Sequence, residues 1–404
     1  ALAMAMAMAL AMALALAMAK MPNSKRRICV AITARPSYSR IRSVLQAIIQ
    51  HPQLELQLVV AGSALLDRYG NVAHAIEQDG FKINRRVYFV LEGGNLVTSA
   101  KSTGIALSDL ATVFDQLQTN AVLTIADRFE TLATAIAAAY MNIPLVHVQG
   151  GEVTGSIDEK VRHAVTKLAD LHFVATERAR ERVLRLGERS ETVVVTGCPS
   201  IDIAAYAITH PDQIEFTGSG VGADVDLTNG YVIVMQHPVT TEYIDARAQI
   251  EETLAAVQDI WLPVLWFWPN VDAGSDDTAK GIRVWREQGR LDHVHVFRNM
   301  TPEDFLRLLL HSTAIVGNSS VAIRECSYLG VPAVNIGSRQ QDRERGGNVI
   351  DVGHNRVEII KALHEQMQRP RPAMSLLYGD GHAGTRIAEC IATMQLTIDK
   401  RLPY

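Results

Sequence analysis

From Ile28 onward, short apolar and β-branched runs alternate with longer stretches whose apolar residues recur at helical spacing. Runs at 28–33, 54–61, 121–126, 144–149, 171–176 and 192–196 predict strands in the first half. Runs at 231–236, 262–268, 293–297, 313–317 and 332–336 predict them in the second. Several are apolar at every position rather than at alternate ones, the pattern of parallel strands covered on both faces. Between them lie helical periods such as Val357, Ile360, Leu363 and Met367, which fall on one apolar stripe. A βαβα order repeated in two blocks predicts an α/β fold of two Rossmann-like, doubly wound parallel-sheet domains.

Residues 208–230 hold His-Pro-Asp, Thr-Gly-Ser-Gly and Thr-Asn-Gly, rich in turn formers and poor in periodic apolar residues, so the connection between the halves is expected there or just before. The expected organisation is a first Rossmann-like domain over 21–205, a second, nucleotide-binding one over 206–384, and a final helix in 385–404 packing back on the first. Residues 1–19 contain only Ala, Leu and Met in strict alternation. They have the length of a membrane span or signal core, but no basic region precedes them and no cleavage-like junction follows, and Met21 reads as a native start, so 1–20 is set aside as a tag or artificial leader.

The 404 residues are 48% hydrophobic and 20% charged with a net charge of -4, which excludes wholesale disorder and argues against nucleic acid as a partner. Cys29, Cys198, Cys326 and Cys390 form no CxxC pair. No zinc site or disulfide framework follows, and a reducing cytoplasm is the expected compartment. The alternating Glu and Arg residues of 177–189 read as a solvated helix face.

Polar clusters stand where strands are expected to end, at 33–39, 126–130, 147–152, 236–241, 269–275, 317–320 and 337–339. Ligands of open parallel sheets bind beyond the carboxyl ends of strands, so all seven clusters point at one crevice. Gly317-Asn318-Ser319-Ser320 is expected to open a helix over 321–329, with N–H groups and hydroxyls able to hold a diphosphate. Glu325 can accept from two ribose hydroxyls, and Arg339 can offset phosphate charge with its planar fork. Asp127 and Arg128 suit a general base and a leaving-group clamp, but equally an N-cap and a surface pair. His237 can donate to a phosphate or a reacting oxygen, although a lone histidine is more often structural. No metal-ligand spacing occurs, so no metal is expected.

The strings HVQGGEVTGSIDEKVRHAVTKLA, QHPVTT, PNVDAGS, GNSS followed by RE, and YGDGHA resemble the hydrolysing UDP-N-acetylglucosamine 2-epimerases, which make N-acetylmannosamine for sialic acid synthesis. The similarity runs from Arg27 to about Ile391. HVQGGEVTG differs from the HVEAGLRTG type of the non-hydrolysing epimerases, and the length leaves no room for the sugar kinase fused to the animal enzyme, so the chain resembles the stand-alone bacterial form.

The resemblance implies a glycosyltransferase-B-like arrangement, a UDP-sugar substrate, no cofactor, no membrane partner and a homo-oligomer, dimer or tetramer. It implies removal of the C2 proton, anti elimination of UDP to 2-acetamidoglucal, then hydration at C1 with reprotonation at C2 from the other face. Binding residues map onto Arg35, Ser39, Arg128, His237, Asn270, Ser319, Ser320, Glu325 and Arg339. Acid/base residues map onto Asp127, Asp158 and Gln149, where the family has Glu. An amide keeps the reach of a carboxyl but cannot exchange a proton near neutral pH, so Gln149 marks either a deliberate inactivating change or a member with weakened or rearranged chemistry. The competing readings are a related hydrolysing epimerase of GDP-linked or 2,4-diacetamido trideoxy sugars, a non-hydrolysing epimerase, a sugar-nucleotide sensor and an acceptor-dependent glycosyltransferase. UDP is expected to close the crevice by hinging near 199–230. Arg283 and Arg286, spaced i, i+3, can share a helix face and grip a carboxylate or phosphate. The corresponding helix of the animal relatives serves feedback inhibition by CMP-sialic acid.

Overall fold

The computed structural model describes residues 25–67, 72–91, 96–125, 129–153, 158–211, 220–223, 225–269, 274–297 and 300–402. Seven parallel strands form the first sheet: β1 (Arg26–Ile32), β2 (Leu54–Ala61), β3 (Ile83–Val87), β4 (Ala121–Ile125), β5 (Leu145–Val148), β6 (Leu171–Val174) and β7 (Val193–Val195), in the order β3-β2-β1-β4-β5-β6-β7. The second sheet holds β8 (Gly220–Gly222), β9 (Val232–Met235), β10 (Val264–Phe267), β11 (Val294–Phe297), β12 (Ala314–Gly317), β13 (Ala333–Ile336) and β14 (Val349–Val352). Its order is β14-β13-β12-β9-β10-β11-β8, parallel throughout except that β8 runs antiparallel on the edge. The chain reverses its direction of travel at β1 in one sheet and β9 in the other, and each such switch opens a crevice at the carboxyl edge.

Central strands are buried end to end, as in β4, β5, β10 and β12, because helices cover both faces. The edge strands β3, β8 and β14 fall outside the predicted set. β3 reads Ile-Asn-Arg-Arg-Val and β14 Val-Ile-Asp-Val, both partly open to solvent, so neither carries an apolar run. On the helix Arg356–Gln368, Ile360, Leu363 and Met367 of the expected stripe pack on the core, but Val357 is 72% exposed, and the fully buried face is Ile359, Ala362, Leu363 and Gln366. That face includes a buried glutamine. Gln366 Nε2 donates to the carbonyls of Ala333 and Asn348 at 2.8 Å each, clamping the helix to the start of β13.

The helix Pro199–Thr209 packs against both the helix Arg35–Gln50 of the first half and the helix Pro302–His311 of the second. Its Asp202 carboxylate accepts from the N–H groups of Ala383 and Gly384 at 2.9 and 2.7 Å, satisfying two orphan donors at the start of the helix Ala383–Thr393. Ile387, Ala388 and Ile391 of that helix join the core formed by β1 and the helix Arg35–Gln50. The approach requires a glycine, because a Cβ at Gly384 would stand 2.7 Å from the Ser43 carbonyl.

At the opposite, amino edge of the first sheet, Glu188 is buried beneath Lys167 Nζ at 2.7 Å, His172 Nε2 at 3.1 Å and Lys400 Nζ at 2.5 Å. Burial works to raise the Glu188 carboxyl, but hydrogen bonds from these three groups outweigh it and hold it at about 2. Burial also pushes His172 below its ordinary value, against the pull of Glu188, leaving a neutral imidazole that donates through Nε2. Among the described residues no helix is long and apolar enough to cross a membrane.

Candidate active site

The carboxyl edges of the two sheets face each other, and links between them define the crevice. Arg40, in the second turn of the helix Arg35–Gln50, reaches Ser320 Oγ at 3.4 Å, and Thr176, past β6, donates to Glu344 Oε2 at 2.5 Å. Arg35 opens the helix after β1, and Ser39, half-buried in its first turns, donates to the Pro36 carbonyl at 3.2 Å.

Gln149 leaves β5 in the left-handed region at φ 67°, an uncommon conformation for a side chain of this kind. Its backbone N–H donates to the Phe173 carbonyl at 2.9 Å. Its Nε2 donates to Cys198 Sγ at 2.9 Å, and that sulfur lies 3.0 Å from Ser200 Oγ. Burial pushes the Cys198 thiol up, so the amide rests against a protonated sulfur. Two residues on, Gly151 adopts φ 74° where a Cβ would meet the Ala179 carbonyl at 2.2 Å, so only glycine allows the turn that carries Glu152 into the crevice. Asp158 is half-buried at the start of the helix Asp158–Leu168.

Glu152 is buried, and the second half supplies its partners. Arg324 Nη1 donates to its Oε2 at 3.1 Å and Arg343 Nη1 lies 3.4 Å from the same oxygen. Burial opposes the charge on Glu152, but Arg324, Arg343 and Arg162 together hold its carboxyl below the usual range. Burial beside these groups lowers the Arg343 guanidinium to about 10, which leaves it charged at neutral pH.

In the second half Asn318 ties three strand ends together. Its Oδ1 accepts from the His237 N–H and its Nδ2 donates to the His237 carbonyl, both at 2.7 Å. Its own carbonyl accepts from Arg339 Nη1 at 3.2 Å and Gln340 Nε2 at 2.9 Å. The expected helix over 321–329 needs correction: a 3₁₀ turn, Ser320–Ala322, is followed by a short helix, Glu325–Leu329. The break falls where Arg324 is drawn inward to Glu152 and, through Nη2, to Ser320 Oγ at 2.9 Å. The N–H groups of Val321 to Arg324 are engaged locally, so the hydroxyls of Ser319 and Ser320, not a row of helix N–H groups, are the polar lining here. Glu325 is buried beside Arg324, its Oε2 3.9 Å from Arg324 Nε.

The structure thus gathers Ser39, Gln149, Asp158, His237, Ser319, Ser320, Glu325 and Arg339 at the two facing edges. Asp127, Arg128 and Asn270 lie outside the described residues. Arg283 and Arg286 are not brought to the crevice: both are exposed on the later turns of the helix Ser275–Glu287, which runs back towards the start of β11. Arg343 escapes sequence reasoning and Cys198 enters it only as a thiol without a CxxC partner, while Glu152, Asn318 and Arg324 stand in its motifs without a role. A carboxylate beside two glycines at a strand end was the available signal. Among the described residues no group of His, Cys, Asp and Glu could hold a metal ion.

A family model described as UDP-N-acetylglucosamine 2-epimerase matches residues 46–392. The hydrolysing UDP-N,N'-diacetylbacillosamine 2-epimerase of Legionella pneumophila is 33% identical over 374 residues, spanning 92% of this chain and 97% of that protein. Polysialic acid biosynthesis protein P7 of Escherichia coli is 30% identical, with 84% and 85% covered. The solved structure of UDP-GlcNAc 2-epimerase from Neisseria meningitidis bound to UDP-GlcNAc superposes with a TM-score of 0.75 at 17% identity, over 91% of this chain and all of that one, and shares its glycosyltransferase-B-like fold. By the extent of the family match and of these alignments, the chain belongs to the UDP-N-acetylglucosamine 2-epimerase family.

Proposed function

We propose that the chain is a hydrolysing sugar-nucleotide 2-epimerase, which releases UDP and the free 2-epimer of a UDP-linked 2-acetamido sugar. The observation that carries this reading is the placement of Gln149 and Asp158 on one edge of the crevice opposite Ser319, Ser320, Glu325 and Arg339 on the other. The nucleotide lies against the second group, with Glu325 accepting from the ribose and Arg339 facing phosphate. Asp127 and Asp158 move protons at C2: one takes the C2 proton as the C1–O bond to UDP breaks and a C1–C2 double bond forms, and the other returns a proton to C2 as water adds at C1, the water's own proton passing to the carboxylate so freed. Gln149 holds the place of a third carboxylate and contributes hydrogen bonds only.

UDP-N-acetylglucosamine, giving N-acetylmannosamine for sialic acid synthesis, is the first substrate reading: the family's description supports the sugar nucleotide, and the Escherichia coli relative, named for polysialic acid biosynthesis, supports the destination. UDP-N,N'-diacetylbacillosamine is the second, favoured by 33% identity across 92% of the chain to a relative that bears that substrate's name. Incubation of each sugar nucleotide in deuterated water, followed by NMR, tests both. The expected product is free 2-epimer carrying deuterium at C2, together with UDP. A UDP-linked 2-epimer would place the chain with the non-hydrolysing enzymes, and UDP binding without product from either sugar would make it a binding protein.

A further inference from the structure

Glu152 follows Gln149 by three residues and precedes Asp158 by six, yet the opposite half of the molecule holds its carboxylate. The grip is two-sided, because Arg343 Nε also donates to the carbonyl of Val153 at 3.2 Å. On the first half, Arg162 extends from the helix that Asp158 opens, and its Nη1 donates to the Glu152 carbonyl at 2.9 Å. On the second half, Arg324 passes from Glu152 to Ser320 Oγ and is followed directly by Glu325. One buried line of bonds therefore runs from the helix of Asp158, through Arg162 and Glu152, to Arg324 and the cradle at Ser320. Arg162, Glu152 and Arg324 are 1%, 5% and 1% exposed, so water does not compete along it.

Resting on the function proposed above, the geometry points to Glu152 as a positioning residue that sets the proton-transfer groups of the first half in register with the nucleotide cradle of the second. Well-packed apolar residues would stabilise such an interface at least as well as a buried ion pair does, whereas a carboxylate between two planar guanidiniums fixes orientation. Its place matters because misplacing reacting groups by about 1 Å can cost about 10²-fold in rate. Glu152 acts through its neighbours, since its carboxylate accepts a hydrogen bond from Arg324 and pairs ionically with Arg343, not with the cradle hydroxyls.

The test compares wild type, Glu152→Gln, Glu152→Asp and the double variant Glu152→Gln/Arg343→Gln. The double variant guards against misfolding, because it removes one cation with the anion and leaves Arg324 facing Glu325. Turnover is expected to fall about 10²-fold in Glu152→Gln and in the double variant, with Glu152→Asp recovering about tenfold of the loss. The UDP dissociation constant, measured by calorimetry, is expected to stay within about threefold in all of them, so kcat and affinity separate. Hydrogen–deuterium exchange adds a readout independent of turnover: UDP should protect residues 145–153 and 158–168 in wild type and leave them unprotected in the double variant. Wild-type turnover in the double variant, or protection retained there, overturns the inference. Absence of UDP binding to the wild-type chain rejects the functional reading itself. Binding that protects neither segment in wild type overturns the inference and leaves that reading standing.

Discussion

Glu152 and Glu188 are both buried carboxylates ringed by cations, and they stand at opposite ends of neighbouring strands of one sheet. Glu152, past the carboxyl end of β5, is met by arginines from the other half of the molecule. Glu188, below the amino end of β6, is met by a lysine and a histidine of its own half and by Lys400 from the chain's return. Arginine offers a rigid planar fork, and the two at Glu152 are nearly sealed from solvent. Lysine offers a point charge on a flexible stem, and Lys167 and Lys400 keep 39% and 25% of their side chains exposed. The first arrangement fixes a geometry between two bodies; the second fastens a tail to one body. What separates them is the edge of the sheet on which they lie, because in parallel sheets ligands gather at the carboxyl edge.

Changes at the two edges must therefore separate turnover from stability. Asp158→Asn, at the carboxyl edge, is expected to lower turnover by about 10²- to 10⁴-fold while the thermal midpoint stays within about 2 °C. A fall in the midpoint that accounts for the lost turnover would break the contrast. Gln149→Glu is expected to raise turnover at least ~100-fold with the UDP dissociation constant within about threefold, because it restores an exchangeable proton where the diphosphate contacts do not lie. Unchanged turnover would show that position 149 is not the site of a missing proton-transfer group. At the amino edge, Glu188→Gln is expected to cost about 2–3 kcal/mol in urea unfolding, below the usual range for breaking a buried pair because both lysines can turn to solvent. Steady-state kinetics at a temperature where the variant is folded should match wild type.

The smallest expected effect is on pH dependence. Glu188 is held at about 2, so its contribution is complete above the unfolded carboxyl range and is lost as pH falls from about 4.5 towards 2. Roughly 1 kcal/mol should be gone by about pH 4. His172 is lowered by burial, so the unfolded state takes up its proton first, and stability also drops as pH falls through the imidazole range. Urea midpoints from pH 7 to 4 should decline in wild type and decline less in Glu188→Gln. Parallel curves would assign the acid sensitivity elsewhere.

The central strands were legible because a strand covered on both faces must be apolar at every position, as Val264–Phe267 is. Edge strands were not, since Ile-Asn-Arg-Arg-Val needs only one covered face and pairs through its backbone. Strand-end polar clusters located the crevice, and the residues named from them flank it wherever they are described. What a sequence could not reveal is who meets whom across long separations. Nothing local announces that Glu152 will find Arg324, 172 residues away, or that Gln149 will lean on Cys198, 49 away. Local pattern misled where a buried polar residue took an apolar residue's place, as Gln366 does.

The helix Ala383–Thr393 has a consequence for how the molecule is made. Ile387, Ala388 and Ile391 complete the covering of β1 and the helix Arg35–Gln50, yet a ribosome delivers them only after both sheets have been synthesised. Until then the first half presents an uncovered apolar face, including Ile41 and Ile48, to whatever is nearby. The core of the first half is thus sewn from both ends of the chain, and its last stitches arrive more than 300 positions after the first.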